Sequence, residues 1–201
     1  MAGNIICITG KSASGKDTFF HALLQRCPEL LPVIPYTTRP KRAGEKDGVE
    51  YHFVTPEQFR KLERMDEIIE KRRYDTVHGI WYYFTRRMTL NPQKDYLLIT
   101  TPDGVRTLAH TYTPQHIRVV YLNPDEQTRM ERCKKREDAQ QHPDYAEMHR
   151  RFQADQRDFS PERLHEQFNG ITHVLELDSA QSIELCLNAW QNWYNSAKDN
   201  L

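Results

Sequence analysis

The chain contains no run approaching the roughly 18–20 apolar residues that cross a bilayer, so a membrane partner is not expected. It also lacks an excess of either charge. Lys plus Arg is 28 and Asp plus Glu is 28, which gives a formal net charge of zero over 201 residues. A general polyanion binder needs surplus positive charge for its phosphate contacts, so no nucleic-acid partner is expected, while a local basic site remains compatible. Cysteine is sparse. Cys7, Cys27, Cys133 and Cys186 form no CxxC pair and no regular spacing, which speaks against a zinc site or a disulfide framework. Reduced thiols in a cytoplasmic protein are the expectation, with Cys7 in the core. Internal repeats and low-complexity segments are missing too. The first nine residues carry no basic n-region and run straight into Gly10-Lys11, so they read as a first strand and not as a signal peptide.

What is present suffices for a core. Hydrophobic residues make up 38% and charged residues 28%, a balance suited to one domain of this length and not to a disordered chain. Short apolar runs at Asn4–Thr9, Tyr96–Thr101, Ile117–Leu122 and His173–Leu177 alternate with helical stretches. The reading is α/β, a parallel sheet covered by helices on both faces. Lys16–Arg26 reads as a helix with Phe19, Phe20, Leu23 and Leu24 on one side. Asp178 followed by Gln181 reads as the N-cap of a last helix, whose Ile183, Leu187, Trp190 and Tyr194 are read as packing residues. From about Pro35 to Arg87 the pattern changes to short β runs, Glu50–Val54, Ile68–Tyr74 and Ile80–Phe84, interrupted by a helix at Pro56–Met65. Turns are read at Lys46-Asp47-Gly48 and His78-Gly79. This predicts an inserted β-rich lobe at about 35–87, and a helical, charge-dense insertion at about 129–158. The core would comprise 1–34, 88–128 and 159–201.

Gly10-Lys11-Ser12-Ala13-Ser14-Gly15-Lys16 matches G-x-x-x-x-G-K directly after the first strand and before the first helix, which is the context a phosphate-binding loop requires. Glycines let successive N–H groups point at one anion, and the helix N-terminus adds partial positive charge. Gly10, Ser12, Ala13, Ser14, Gly15, Lys16, Asp17 and Thr18 are the candidate ATP-binding residues, with Lys16 reaching the β- and γ-phosphates. The position after the lysine, where a Ser or Thr hydroxyl usually meets Mg²⁺, holds Asp17, with Thr18 next. Two readings stand for Asp17. It is a magnesium ligand, direct or through water, or it simply complements the helix dipole.

A second motif, Thr37-Thr38-Arg39-Pro40-Lys41-Arg42-Ala43-Gly44-Glu45, is followed by Gly48, Glu50-Tyr51 and Phe53. Two arginines three apart and a tyrosine nine residues on could clamp a phosphate, although such a charge run is also compatible with a solvated loop. With these residues the sequence resembles the guanylate kinase family, whose T-T-R-x-x-R-x-G-E-x-x-G-x-x-Y-x-F pattern is met at each fixed position. The resemblance continues more loosely through Ile69-Glu70, Gly79-Ile80-Trp81-Tyr82-Tyr83, Arg132–Arg136 and Arg151–Ala154.

The resemblance implies a core, a nucleoside-monophosphate lobe and a mobile lid. It implies transfer of the ATP γ-phosphoryl group, with Mg²⁺ as cofactor, to a nucleoside monophosphate. It assigns Arg39, Arg42, Tyr51 and Tyr82 to the acceptor phosphate and Glu70 to the guanine N1–H and amine. Arg136 and Arg151 become lid arginines that join Lys16 and Arg39 as catalytic groups. Thr101 stands where the family has an aspartate facing guanine, and Pro35 where it has a serine meeting O6. The phosphate sites therefore match the family while the base-reading positions depart from it. GMP or dGMP leads, another nucleoside monophosphate or a sugar phosphate follows, and a silent binding module is the reading of another class. An acceptor phosphate is already nucleophilic at neutral pH, so no histidine is assigned a role, and His78 is read as a turn residue. Monomer and homodimer both remain open.

Overall fold

The computed structural model describes residues 3–42, 44–76, 79–140 and 143–199. Its strands are β1 (Ile5–Thr9), β2 (Leu31–Pro32), β3 (Tyr36–Thr37), β4 (His52–Phe53), β5 (Ile68–Thr76), β6 (Gly79–Arg86), β7 (Tyr96–Ile99), β8 (Ile117–Leu122) and β9 (His173–Leu177). Its helices are α1 (Lys16–Arg26), α2 (Pro56–Arg64), α3 (Pro102–Tyr112), α4 (Glu126–Asp138), α5 (Tyr145–Asp158), α6 (Pro161–Gln167) and α7 (Ile183–Asp199). His78 and Ala43 lie outside the described residues.

The four longest apolar runs become parallel strands because both of their faces can be covered. The first sheet has the order β2-β7-β1-β8-β9, all parallel. Alternation then divides its side chains between two layers. Ile6, Ile8, Leu97, Val120 and Leu122 meet Phe19, Phe20 and Leu23 of α1 and Leu187, Trp190 and Tyr194 of α7. Ile5, Cys7, Leu98, Ile117 and Val119 meet Val105, Leu108 and Ala109 of α3 on the other face. Each such Leu, Ile or Phe contributes about 1.5–3 kcal/mol by leaving water. Trp193 packs at the margin of the first layer.

The second sheet is mixed, with order β4-β3-β6-β5. The long β5–β6 hairpin runs from Ile68 opposite Arg86 to Thr76 opposite Gly79, with an irregularity between Ile68 and Glu70. Thr55 starts α2 with a reciprocal cap: its hydroxyl accepts from Gln58 N at 3.2 Å, and its own N–H donates to Gln58 Oε1 at 2.7 Å. The helix lays Phe59 against Tyr82 and Phe84.

Two readings of the sequence change. Asp178 does not cap the last helix. Its carboxylate accepts from Ala180 N at 2.9 Å in a turn, and α7 begins at Ile183. The reason is local, since Ser179 is drawn to the phosphate loop, donating its hydroxyl to Ser14 O at 2.5 Å. The strand beginning at Tyr96 stops at Ile99, because Pro102 opens α3 and Thr101 is its N-cap, accepting from Gly104 N at 3.3 Å. The charged segment after Asp125 consists of two helices, α4 and α5, packed through Cys133, Met148 and Phe152. All four cysteines are free and buried, and no helix of the described residues is long and apolar enough to cross a membrane.

Candidate active site

The loop between β1 and α1 lies at the carboxyl end of the first sheet, where open parallel sheets bind ligands. Gly10 is forced by space: a Cβ there would lie 2.5 Å from Leu122 O. Gly15 has φ 87, a left-handed conformation that glycine adopts freely, and it delivers the chain into α1. Ala13 shares that left-handed region at φ 59. Lys16 is folded back over the loop, its Nζ donating to Gly10 O at 2.8 Å and Lys11 O at 2.9 Å. Burial lowers its pKa, with the charges of Arg136 and Arg72 acting in the same direction and those of Asp17 and Asp155 opposing. The hydroxyls of Thr9, Ser14 and Thr100 are buried without hydrogen-bond partners among the described residues. Asp17 and Thr18 are exposed at the start of α1.

Three contacts that sequence reasoning did not anticipate hold this loop. Arg132 of α4 donates to Ala13 O at 3.5 Å and to Ser179 O at 2.7 Å, joining the loop to the turn before α7. Asp155 of α5 accepts from Ser12 N at 2.7 Å. The same carboxylate lies 3.7 Å from Arg129, which is 1% exposed and has its guanidinium 4.3 Å over Phe152. A carboxylate thus occupies one N–H of the loop that would otherwise meet a phosphate.

The second cluster is built on the other sheet. Thr37 and Thr38 fasten β3 to β6: Thr37 Oγ1 donates to Tyr82 O at 3.0 Å, and Tyr82 N donates to Thr38 Oγ1 at 2.9 Å. This places Arg39, 4% exposed, against Glu45 through two hydrogen bonds of 3.0 and 2.7 Å. Arg39 Nε donates to Tyr83 Oη at 3.1 Å, and its guanidinium lies 5.7 Å from the Tyr51 ring centroid. Tyr51 meets Tyr83 edge-on at 5.4 Å. Burial raises the Tyr51 pKa, helped by Tyr83 and by Asp17 of the phosphate loop, while Arg72 and Arg39 oppose. Glu70 is buried and accepts from Thr85 Oγ1 at 2.8 Å. Arg42 is exposed, its backbone N–H donating to Glu45 Oε2 at 2.7 Å.

Arg39, Tyr51 and Tyr83 are therefore brought together, with Asp17 beside the phosphate loop in electrostatic range of Tyr51, and Glu70 lies on the strand that pairs with that of Tyr83. Tyr82 is not part of the cluster. It stacks on Phe59 at 4.2 Å, and Tyr83 takes the place expected for it. Neighbouring strand residues point to opposite faces, so a one-residue shift in reading the hairpin reverses the assignment. Arg136 is exposed, within electrostatic reach of Lys16. Arg151 is exposed and held by Glu147 at 2.8 Å, one turn away on its own helix. Thr101 spends its hydroxyl acceptor on its own helix, and Pro35 contributes its carbonyl to His52 N at 2.9 Å.

A family model described as guanylate kinase matches residues 2–176. The guanylate kinase of Aromatoleum aromaticum is 38% identical over 128 residues, 62% of this chain and 60% of that protein. The guanylate kinase of Carboxydothermus hydrogenoformans is 34% identical over 137 residues, 67% of this chain and 65% of that protein. These matches thus span less than two thirds of either relative's length. Among solved structures, a guanylate kinase from Anaplasma phagocytophilum superposes with a TM-score of 0.66 at 20% identity, covering 97% of this chain and 86% of that one. A gluconokinase from Sinorhizobium meliloti gives 0.51 at 15% identity, covering 98% and 95%. At such identities the structures speak for the fold alone, while the family model reaches from the first strand to the last. The chain belongs to the guanylate kinase family.

Proposed function

We propose that this protein transfers the γ-phosphoryl group of ATP to a nucleoside monophosphate, with GMP or dGMP as the first candidates. The observation that carries the reading is that the phosphate loop and a buried arginine–tyrosine cluster lie within electrostatic range, since the charge of Asp17 beside the loop acts on Tyr51 in the cluster. Residues 35–87 serve as the acceptor lobe and 129–158 as the lid.

Lys16 is the donor-side cation. It leaves the carbonyls of Gly10 and Lys11 for phosphate oxygens when ATP enters. Arg39 and Tyr83, with Tyr51 beside them, receive the acceptor phosphate, Arg42 adds an exposed charge, and Glu70 faces the base. An acceptor phosphate needs no general base, so catalysis rests on alignment and charge neutralisation. Arg136 and Arg151 close on the phosphates as lid arginines, Arg151 leaving its exposed pair with Glu147 to do so.

Mg²⁺ fits this site as an ion held jointly with ATP. The described residues include no cluster of three or more His, Cys, Asp or Glu able to hold a metal alone. A magnesium ion carried by phosphates and water needs only one or two protein carboxylates, and Asp17 beside the loop is the candidate. When bound, the ion neutralises charge on the β- and γ-phosphates.

A different acceptor is the second reading, favoured by the base side. Pro35 offers no side-chain donor, and the Thr101 hydroxyl caps α3. The test is ADP release from ATP·Mg²⁺ with GMP, dGMP, AMP, CMP, UMP, dTMP and ribose phosphates. Turnover confined to GMP and dGMP supports the first reading. Turnover with another acceptor supports the second, and no turnover with any defeats both.

A further inference from the structure

Arg72 lies two residues beyond Glu70 on β5 and so shares its face. Across the ladder it stands opposite Tyr83. Tyr83 holds Arg39 through its hydroxyl at 3.1 Å and meets Tyr51 at 5.4 Å. Arg72 is therefore level with the acceptor-phosphate cluster, one step nearer the hairpin tip than the base-side carboxylate.

The guanidinium is steadied without being used up. Its Nε is 3.5 Å from Glu70 Oε2, and that N–H is buried with no hydrogen-bond partner among the described residues. Glu70 is itself fixed from the other side by Thr85. The ion pair is longer than a good hydrogen bond, so Glu70 orients the guanidinium without saturating it. The side chain remains 30% exposed, so the rest of its guanidinium is within reach of solvent. Its charge reaches both sites, acting on Lys16 in the phosphate loop and on Tyr51 in the acceptor cluster.

We propose that Arg72 contacts the transferred phosphoryl group, bridging the acceptor phosphate at Arg39 and Tyr83 to the terminal donor phosphate at Lys16, and is thus a further catalytic residue. Glu70 is the positioning residue that aims it. The assignment rests on the kinase reading above. In the step, an acceptor phosphate oxygen forms a P–O bond to the γ-phosphorus as the bond from that phosphorus to the β–γ bridging oxygen breaks. ADP leaves with the bonding pair, and Arg72 gives up no proton. The planar fork suits two oxygens on different groups, which a lysine at this place would serve only as a point charge.

The test compares Arg72→Gln and Arg72→Lys with the unaltered protein. Measured are ADP release with GMP, melting temperature, and calorimetric binding of GMP, of ATP·Mg²⁺, and of a bisubstrate analogue joining adenosine to guanosine through five phosphates. For Arg72→Gln we expect kcat to fall by at least about 100-fold while the KM for GMP moves by less than about threefold. We also expect analogue affinity to drop far more than affinity for GMP or ATP·Mg²⁺ singly, in a variant that melts somewhat lower because buried Glu70 loses its counter-charge but is fully folded at the assay temperature. Arg72→Lys should recover part of kcat, and serves if the Gln variant does not fold. A folded Arg72→Gln protein with normal kcat overturns the assignment while leaving the kinase reading intact. So does a loss confined to KM for GMP. If the unaltered protein binds neither ATP·Mg²⁺ nor the analogue, the kinase reading fails and takes the assignment with it.

Discussion

Tyr82 and Tyr83 are adjacent in sequence and chemically identical, yet only one hydroxyl meets Arg39. Tyr83→Phe removes that bond, worth about 1 kcal/mol, and should raise the acceptor KM about fivefold. Tyr82→Phe should change steady-state kinetics by less than twofold, because its ring packs on Phe59. Equal effects of the two substitutions would contradict the placement. Arg39→Ala should lower turnover by several orders of magnitude. It should also destabilise the protein by about 1–3 kcal/mol, since Glu45 loses a bidentate partner, and thermal melts of the variant would show it. The sequence motif left Arg39 either in a phosphate clamp or on a solvated loop; its burial excludes the second and gives it a structural part as well. Lys16, Arg39 and Tyr51 were legible because loop and motif spacing carry them. Tyr83 was not, because strand parity depends on where the hairpin turns, and a one-residue shift exchanges Tyr82 and Tyr83 between faces. Arg72 could have been found by counting twos along β5 from Glu70.

Among the elements, α5 is held in two ways that respond differently to conditions. At its start, hydrogen bonding from Arg150, joined by Arg151, holds the Glu147 carboxyl down at about 2 from an ordinary 4.5, against opposition from burial. A depressed acid stabilises above its unfolded pKa, and that contribution fades as pH falls through the folded value. Glu147 should therefore steady α5 above pH 4.5 and release it progressively towards pH 2. NMR titration of its carboxyl carbon would give the midpoint, and Glu147→Gln should abolish this acid-side loss. Near its end, Asp155 puts negative charge on the phosphate loop. Asp155→Asn keeps an acceptor for Ser12 N while removing repulsion worth about 1 kcal/mol, so ATP·Mg²⁺ should bind about fivefold more tightly by calorimetry. The melting temperature should drop, because buried Arg129 loses its counter-charge. Weaker nucleotide binding would instead give Asp155 a role in holding the nucleotide. Charge density marked this region as helical, but composition does not say which carboxylate reaches a loop 143 residues away in sequence.

At the scale of the molecule, the parallel sheet was the most legible feature. Its central strands are continuous apolar runs, and β8 and β9 match their sequence boundaries. The shortest pieces escaped. Strands β2, β3 and β4 have two residues each, too few for a period to register, and are set by their neighbours. Helix α3 carries Val105, Leu108 and Ala109 at helical spacing after Pro102, a signal that the stronger phosphate motifs overshadowed. The four cysteines add a use of their own. Burial raises the pKa of Cys7, Cys133 and Cys186, so the folded state suppresses their thiolates. They sit in β1, α4 and α7, with Cys27 just after α1, so they act as clocks placed in separate regions. With a thiol reagent in excess, Cys133 should be modified first, as α4 and α5 separate, and Cys7 only on global unfolding. ATP·Mg²⁺ should slow the Cys133 clock while leaving that of Cys7 slow, as mass spectrometry of the labelled peptides would record. The native chain thus times its own opening without an added probe.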